Sequence, residues 1–180
     1  MVKTNKPLVI EDRTVPKPKN SEVLVMVQAA GICHSYLHLG EGGYTGAGGI
    51  FMKVEDRGVK FPLSPGHEVP GIIEDIGESV IPFQKEDKVL IYPWIGDEMC
   101  HSCKAGDEHL CESPLTLGIY QDGGYPDLML VTNYKHLIKL ENVDFNSSAA
   151  LVCSGLTAYT SIQKSLAMPG ETLLITGAGG

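Results

Sequence analysis

The chain has 180 residues, with 14 Lys and Arg against 22 Asp and Glu, a net charge of −8 and 43% hydrophobic content. That acidity disfavours nucleic acid and anionic membranes as partners, since either calls for a basic face. No apolar run approaches the ~18 residues of a membrane span, and residues 1–10 hold no signal-like stretch, so the expected location is the cytoplasm.

In chain order, Val23–Val27 is apolar and β-branched, bounded by Asn20-Ser21 and Gly31, and reads as a first strand. Residues 40–49 contain six glycines; they read as a mobile surface loop, or else as a lid over a nearby site. Further strands are expected over Val69–Ile76, with an interior Gly71, and over 88–92, 127–131 and 136–140. Short strands separated by turns suggest a small β-barrel or sandwich. Pro16, Pro18, Pro62, Pro65, Pro82 and Pro93 fall at strand margins or in loops. The pattern changes near Asp144. Asn146 or Ser147 is placed to cap a short helix containing 149–152, and Leu156, Tyr159, Ile162 and Leu166 then recur at helical spacing. Pro169-Gly170 ends that helix, and 172–176 reads as a buried-type strand followed by Gly177-Ala178-Gly179-Gly180.

Five cysteines, an odd number without a secretory signal, argue against a disulfide framework. Cys100, Cys103 and Cys111 put three soft ligands in one loop. Asp97 can supply a fourth, with His101, His109 and Glu98 as rivals. A closed zinc site needs four such donors in a tetrahedron. The alternative, three reduced core cysteines, fits poorly with polar neighbours such as Lys104, Asp107 and Glu108.

Cys33, His67 and Cys153 stand far apart in the chain. Together they would make a three-ligand zinc site with an open fourth position, the arrangement catalytic zinc requires. Spacing alone cannot join them, and each taken singly also reads as an ordinary core residue. A strand followed by Gly177-x-Gly179-Gly180 is how a dinucleotide-binding unit opens; a plain glycine tail is the other reading.

Taken together, these residues resemble the zinc-dependent alcohol dehydrogenases of the medium-chain dehydrogenase/reductase family, archaeal NAD-dependent members in particular. The motifs are Ala30-Gly31-Ile32-Cys33-His34-Ser35, Gly66-His67-Glu68-x2-Gly71-x5-Gly77-x2-Val80, the Cys100/Cys103/Cys111 loop, Cys153-Ser154-Gly155-x-Thr157 and Thr176-Gly177-Ala178-Gly179-Gly180. The resemblance implies a mainly β fold with few helices. A GroES-like β-barrel catalytic domain would span 1–153, and a linking helix with the truncated start of an NAD-binding Rossmann domain would span 154–180.

It implies that Cys33, His67 and Cys153 hold a catalytic zinc, with Glu68 beside it as an occasional ligand. Asp97, Cys100, Cys103 and Cys111 would hold a structural zinc, about two Zn²⁺ per chain in all. Ser35 and His38 would relay the alcohol proton. His34, Thr157, Gly177, Gly179 and Gly180 would meet NAD or NADP, and Trp94 and Ile119 would line an apolar substrate pocket.

The implied substrates are small alcohols, aldehydes or ketones. The polypeptide alone is expected to be inactive for want of the nucleotide domain, whose complementing half, or a second copy, is the expected partner. A non-catalytic module keeping only the structural zinc is the alternative. The chain departs from the family at Tyr36, where an acidic residue usually orients the ligating histidine. It departs again at Pro70, which removes a backbone donor from a strand.

Overall fold

The computed structural model describes residues 1–177. Its centre is a five-stranded antiparallel sheet: β1 (Val23–Val27), β4 (Val69–Ile76), β5 (Lys88–Ile91), β6 (Leu128–Val131) and β7 (Leu137–Lys139), in the order β6-β1-β4-β5-β7. All five strands feed one apolar cluster. It includes Val23 and Val25 from β1, Val69 and Ile73 from β4, Val89 and Ile91 from β5, Met129 and Val131 from β6, and Leu137 from β7. The sheet turns one face of every strand onto this single core, and the expected mainly β domain takes this form. Alternation along β1 and β6 supplies the inward residues.

Pro70 lies in an interior strand, where proline is normally excluded. Its carbonyl accepts from Gln28 N at 3.1 Å. In an antiparallel ladder the missing N–H would face the same side. That side is beyond Val27, where β1 has ended, so the proline costs the sheet little.

The glycine-rich stretch is more ordered than the sequence suggests. Helix α1 (Ser35–Glu41) ends on left-handed Gly42, and strands β2 (Gly43–Thr45) and β3 (Phe51–Lys53) pair as a hairpin over 43–53. Its glycines serve tight turns, not a structureless loop. A second apolar cluster of Tyr36, Leu39, Val54, Val59 and Leu63 lies under this region.

Past a short helix α2 (His101–Lys104), α3 (Phe145–Ala149) is capped by Asp144, whose carboxylate accepts from Ser147 N at 2.9 Å. The expected caps, Asn146 and Ser147, lie inside the helix. Helix α4 (Ser154–Ser165) ends before Pro169-Gly170, at left-handed Leu166. Its apolar stripe is exposed at Tyr159 and Ile162. Residues 172–176, of strand composition, are irregular and exposed; among the described residues no strand pairs with them, and an unpaired segment leaves its backbone groups to solvent. Gly177 has a left-handed backbone, and Gly179 and Gly180 lie outside the described residues. Among the described residues no helix is long and apolar enough to cross a membrane.

Candidate metal centres

Two sets of donor atoms converge. In the first, Asp97, Cys100, Cys103 and Cys111 offer atoms all within 4.8 Å of one another. The loop builds this cluster from local turns. Asp97 Oδ1 accepts from Met99 N at 2.9 Å and Cys100 N at 3.0 Å. Backbone N–H groups of Asp97 and Ser113 each point at Cys111 Sγ from 3.3 Å. Donors aimed at a group favour its ionised form. Accordingly the Cys100 and Met99 amides hold Asp97 below the usual carboxylate range, and the Cys103 amide lowers Cys100. The rival ligands fall away: His101 and His109 are exposed outside the cluster, and Glu98 pairs with Lys135 Nζ at 2.7 Å.

Lys135 also reaches Glu108 Oε1 at 2.9 Å, while Glu108 Oε2 accepts from Gly96 N at 3.3 Å. One lysine beside β7 thereby ties both ends of the cysteine loop to the sheet. Nothing in the sequence marks Lys135 for this, since the contact depends on tertiary placement.

In the second set, Cys33, His67 and Cys153 are likewise mutually within 4.8 Å. Cys33 precedes α1, His67 precedes β4, and Cys153 opens α4. Backbone ties bring the first two together. The β1–β4 ladder continues past its end through Gln28 N to Pro70 O at 3.1 Å and Gly31 N to Glu68 O at 2.9 Å. Trp94 Nε1 donates to Val152 O at 3.0 Å and so anchors the residue before Cys153.

Cys33 Sγ and Cys153 Sγ stand 3.7 Å apart. Their contact lowers the Cys33 pKa, helped by His67, and raises that of Cys153, helped by burial. His67 is buried, and neither of its ring nitrogens has a hydrogen-bond partner.

Both sets fit zinc. Zn–S bonds of ~2.3 Å in a tetrahedron put sulfurs about 3.8 Å apart. The observed separations are 3.7 Å for Cys33–Cys153 and 3.8 Å for Cys100–Cys111. An orphaned buried imidazole costs free energy unless something takes its lone pair. An ion among His67 and the two thiols would do so.

The other expected residues take varied positions. Glu68 is buried, and its carboxylate helps raise Cys153. Ser35 Oγ lies 3.4 Å from Cys33 Sγ. His38 sits one helical turn on, its buried Nδ1 making no hydrogen bond but lying 3.8 Å from Glu41 Oε2, its ring 4.7 Å from that of exposed His34. Trp94 packs 5.9 Å from the His67 ring, and Ile119 joins the second apolar cluster. Thr157 is exposed in the first turn of α4, donating N–H to Cys153 O at 2.8 Å. Tyr125, which the sequence does not single out, lies 5.4 Å from Tyr36. Burial and the nearby Glu68 raise its pKa.

Compared with known proteins, residues 19–142 match the alcohol dehydrogenase GroES-like domain, more than half of the chain. The chain belongs to this family. Over all 180 residues it is 44% identical to an NAD-dependent alcohol dehydrogenase of Sulfurisphaera tokodaii and 43% identical to one of Saccharolobus solfataricus, covering 51% of each. It therefore spans about half the length of the curated relatives it matches. Among solved structures, the alcohol dehydrogenase of Aeropyrum pernix superposes with a TM-score of 0.79 at 33% identity, over 94% of this chain and 48% of that one. The GroES-like sheet and the zinc-type alcohol dehydrogenase resemblance thus agree.

Proposed function

We propose that these residues are the zinc-holding catalytic part of an NAD-dependent alcohol dehydrogenase, interconverting small alcohols with aldehydes or ketones. The observation that carries the reading is the convergence of Cys33, His67 and Cys153, from three distant segments, around an unpaired buried imidazole. These three would hold the catalytic ion, with Glu68 beside them. Asp97, Cys100, Cys103 and Cys111 would hold a second ion that stiffens the loop. Bound zinc supplies Lewis-acid polarisation of the substrate oxygen, lowering the pKa of an alcohol.

The chain's own residues then handle the proton and the substrate. Ser35 Oγ, next to Cys33, accepts the alcohol proton, and His38, one turn along α1, passes it toward solvent. Trp94 and Ile119 exclude water from the apolar end of the substrate. His34 and Thr157, exposed and close in the chain to Cys33 and Cys153, are the contacts offered to NAD or NADP. Residues 1–153 form the catalytic unit in this reading, and 154–180 lead into a nucleotide-binding domain. Among the described residues there is no doubly wound parallel sheet. Turnover would need such a domain in addition to these residues.

The test is metal counting joined to complementation. About two zinc ions per chain are expected, falling by one in His67→Ala with the loop ion retained. Adding the nucleotide-binding half of a relative, with NAD and a primary alcohol, should yield NADH. A single zinc, unaffected by His67→Ala, would favour a module that keeps only the loop ion. A folded complex with both ions and no NADH would reject the dehydrogenase reading.

A further inference from the structure

No carboxylate reaches His67, yet a metal-ligating imidazole needs its ring plane fixed. The structure supplies rings instead. Tyr36 packs 4.8 Å from the His67 ring at 45°, and Trp94 packs 5.9 Å from it at 42°. Tyr36 is itself held by Tyr125 at 5.4 Å and by the cluster of Leu39, Val54, Val59 and Leu63. Trp94 is held by its bond to Val152 O. Tilted aromatic pairs at such distances are favourable and geometrically specific.

The Tyr36 hydroxyl does not take the place of an acid. It is buried with no well-aligned hydrogen bond, the nearest donor being the backbone N–H of Gly66. It lies against Gly118, where a Cβ would stand only 2.9 Å from Oη.

We propose that Tyr36 is a positioning residue that orients His67 for the metal by ring packing, not through its hydroxyl, with Trp94 as a second ring neighbour. The inference rests on the dispersed metal site proposed above. Packing against two rings limits rotation of the imidazole and keeps one nitrogen aimed at the thiols of Cys33 and Cys153.

The test uses cobalt in place of zinc, read by its thiolate charge-transfer and ligand-field bands. The dispersed site is identified by the signal that His67→Ala removes. Tyr36→Phe should keep the wild-type affinity and spectrum. Tyr36→Leu, which loses the planar ring, should bind cobalt at the dispersed site roughly 10-fold or more weakly, with altered ligand-field bands. The loop site should be untouched and so report that the domain is folded. If Tyr36→Leu loses cobalt at both sites, Tyr36→Met fills the volume with a flexible apolar chain and takes its place.

Weakening by Tyr36→Phe as large as that by Tyr36→Leu would assign the work to the hydroxyl and overturn the proposal. So would a ring-free variant with unchanged bands and affinity. Wild-type protein that binds cobalt only in the loop would instead overturn the dispersed site itself, and this inference with it.

Discussion

The cysteine loop and the dispersed site both gather cysteine thiols, completed by Asp97 in one and His67 in the other, at very different chain separations. Cys100 and Cys111 are 11 residues apart, Cys33 and Cys153 are 120 apart. The loop arranges its own ligands through turns and backbone N–H groups aimed at sulfur. The dispersed site borrows its geometry from the β1–β4 ladder and the Trp94 anchor. A metal can organise the first before the domain folds, whereas the second exists only once the sheet has paired.

The largest expected effect follows from that dependence. Gly71 lies in β4 against β1, where a Cβ would press on Val25 Cγ1 and the Met26 carbonyl. Gly71→Val should force the two strands apart, destabilise the domain by about 1–3 kcal/mol or more, and abolish the dispersed cobalt signal. Loop cobalt should survive. Equal loss of both signals in a still compact protein would mean that the loop depends on the sheet as well.

Gly96→Ala is the converse. A Cβ there would intrude on Cys103 Sγ, and on Cys111 Cβ and Glu108 Cβ at 3.3 Å. Displacing one thiol should weaken loop metal on the order of 10- to 100-fold in a chelator competition and leave the dispersed site intact. Unchanged loop affinity would show that the cluster tolerates movement its packing does not suggest.

This contrast also explains what the sequence reveals. The strands β1 and β4 were legible to the residue because apolar β-branched runs bounded by turn residues carry their own signal. The cysteine loop was legible because its spacing is local. The dispersed triad became readable only through family resemblance, since nothing in the period of a strand tells which distant residue it will face. Tyr36 was visible as a departure but not in its role, because ring packing against His67 leaves no sequence pattern. The glycines of 40–49 misled: they allow the tight turns of the β2–β3 hairpin as readily as mobility. The segment 172–176 has strand composition but no neighbour, and composition alone does not make a sheet.

A smaller effect concerns how the dispersed site is anchored. Trp94→Phe keeps a ring beside His67 but removes the donor to Val152 O. The carbonyl left behind should cost about 1 kcal/mol in urea unfolding. Dispersed-site cobalt should be retained with somewhat faster exchange, because Cys153 is less firmly held. A loss of stability with no change in exchange would separate the anchor from the site.

The smallest expected effect belongs to the loop's tie to the sheet. Lys135 holds Glu108 below its ordinary carboxylate value of 4.5. A depressed folded-state pKa stabilises fully above that value and less as pH falls through the folded one. Both partners are partly solvated, at 35% and 24% exposure, so solvent screening limits the pair to about 0.5–1 kcal/mol. Glu108→Gln should therefore lower stability by that amount near neutrality. The gap to wild type should close as the pH drops below 4.5, once the wild-type carboxylate protonates. Because acid also strips metal from thiolates, the comparison needs both proteins at equal loop-metal occupancy. A gap that stays constant with pH would trace the loss to the Gly96 hydrogen bond and not to the ion pair, and the loop would then be tied to the sheet by its backbone.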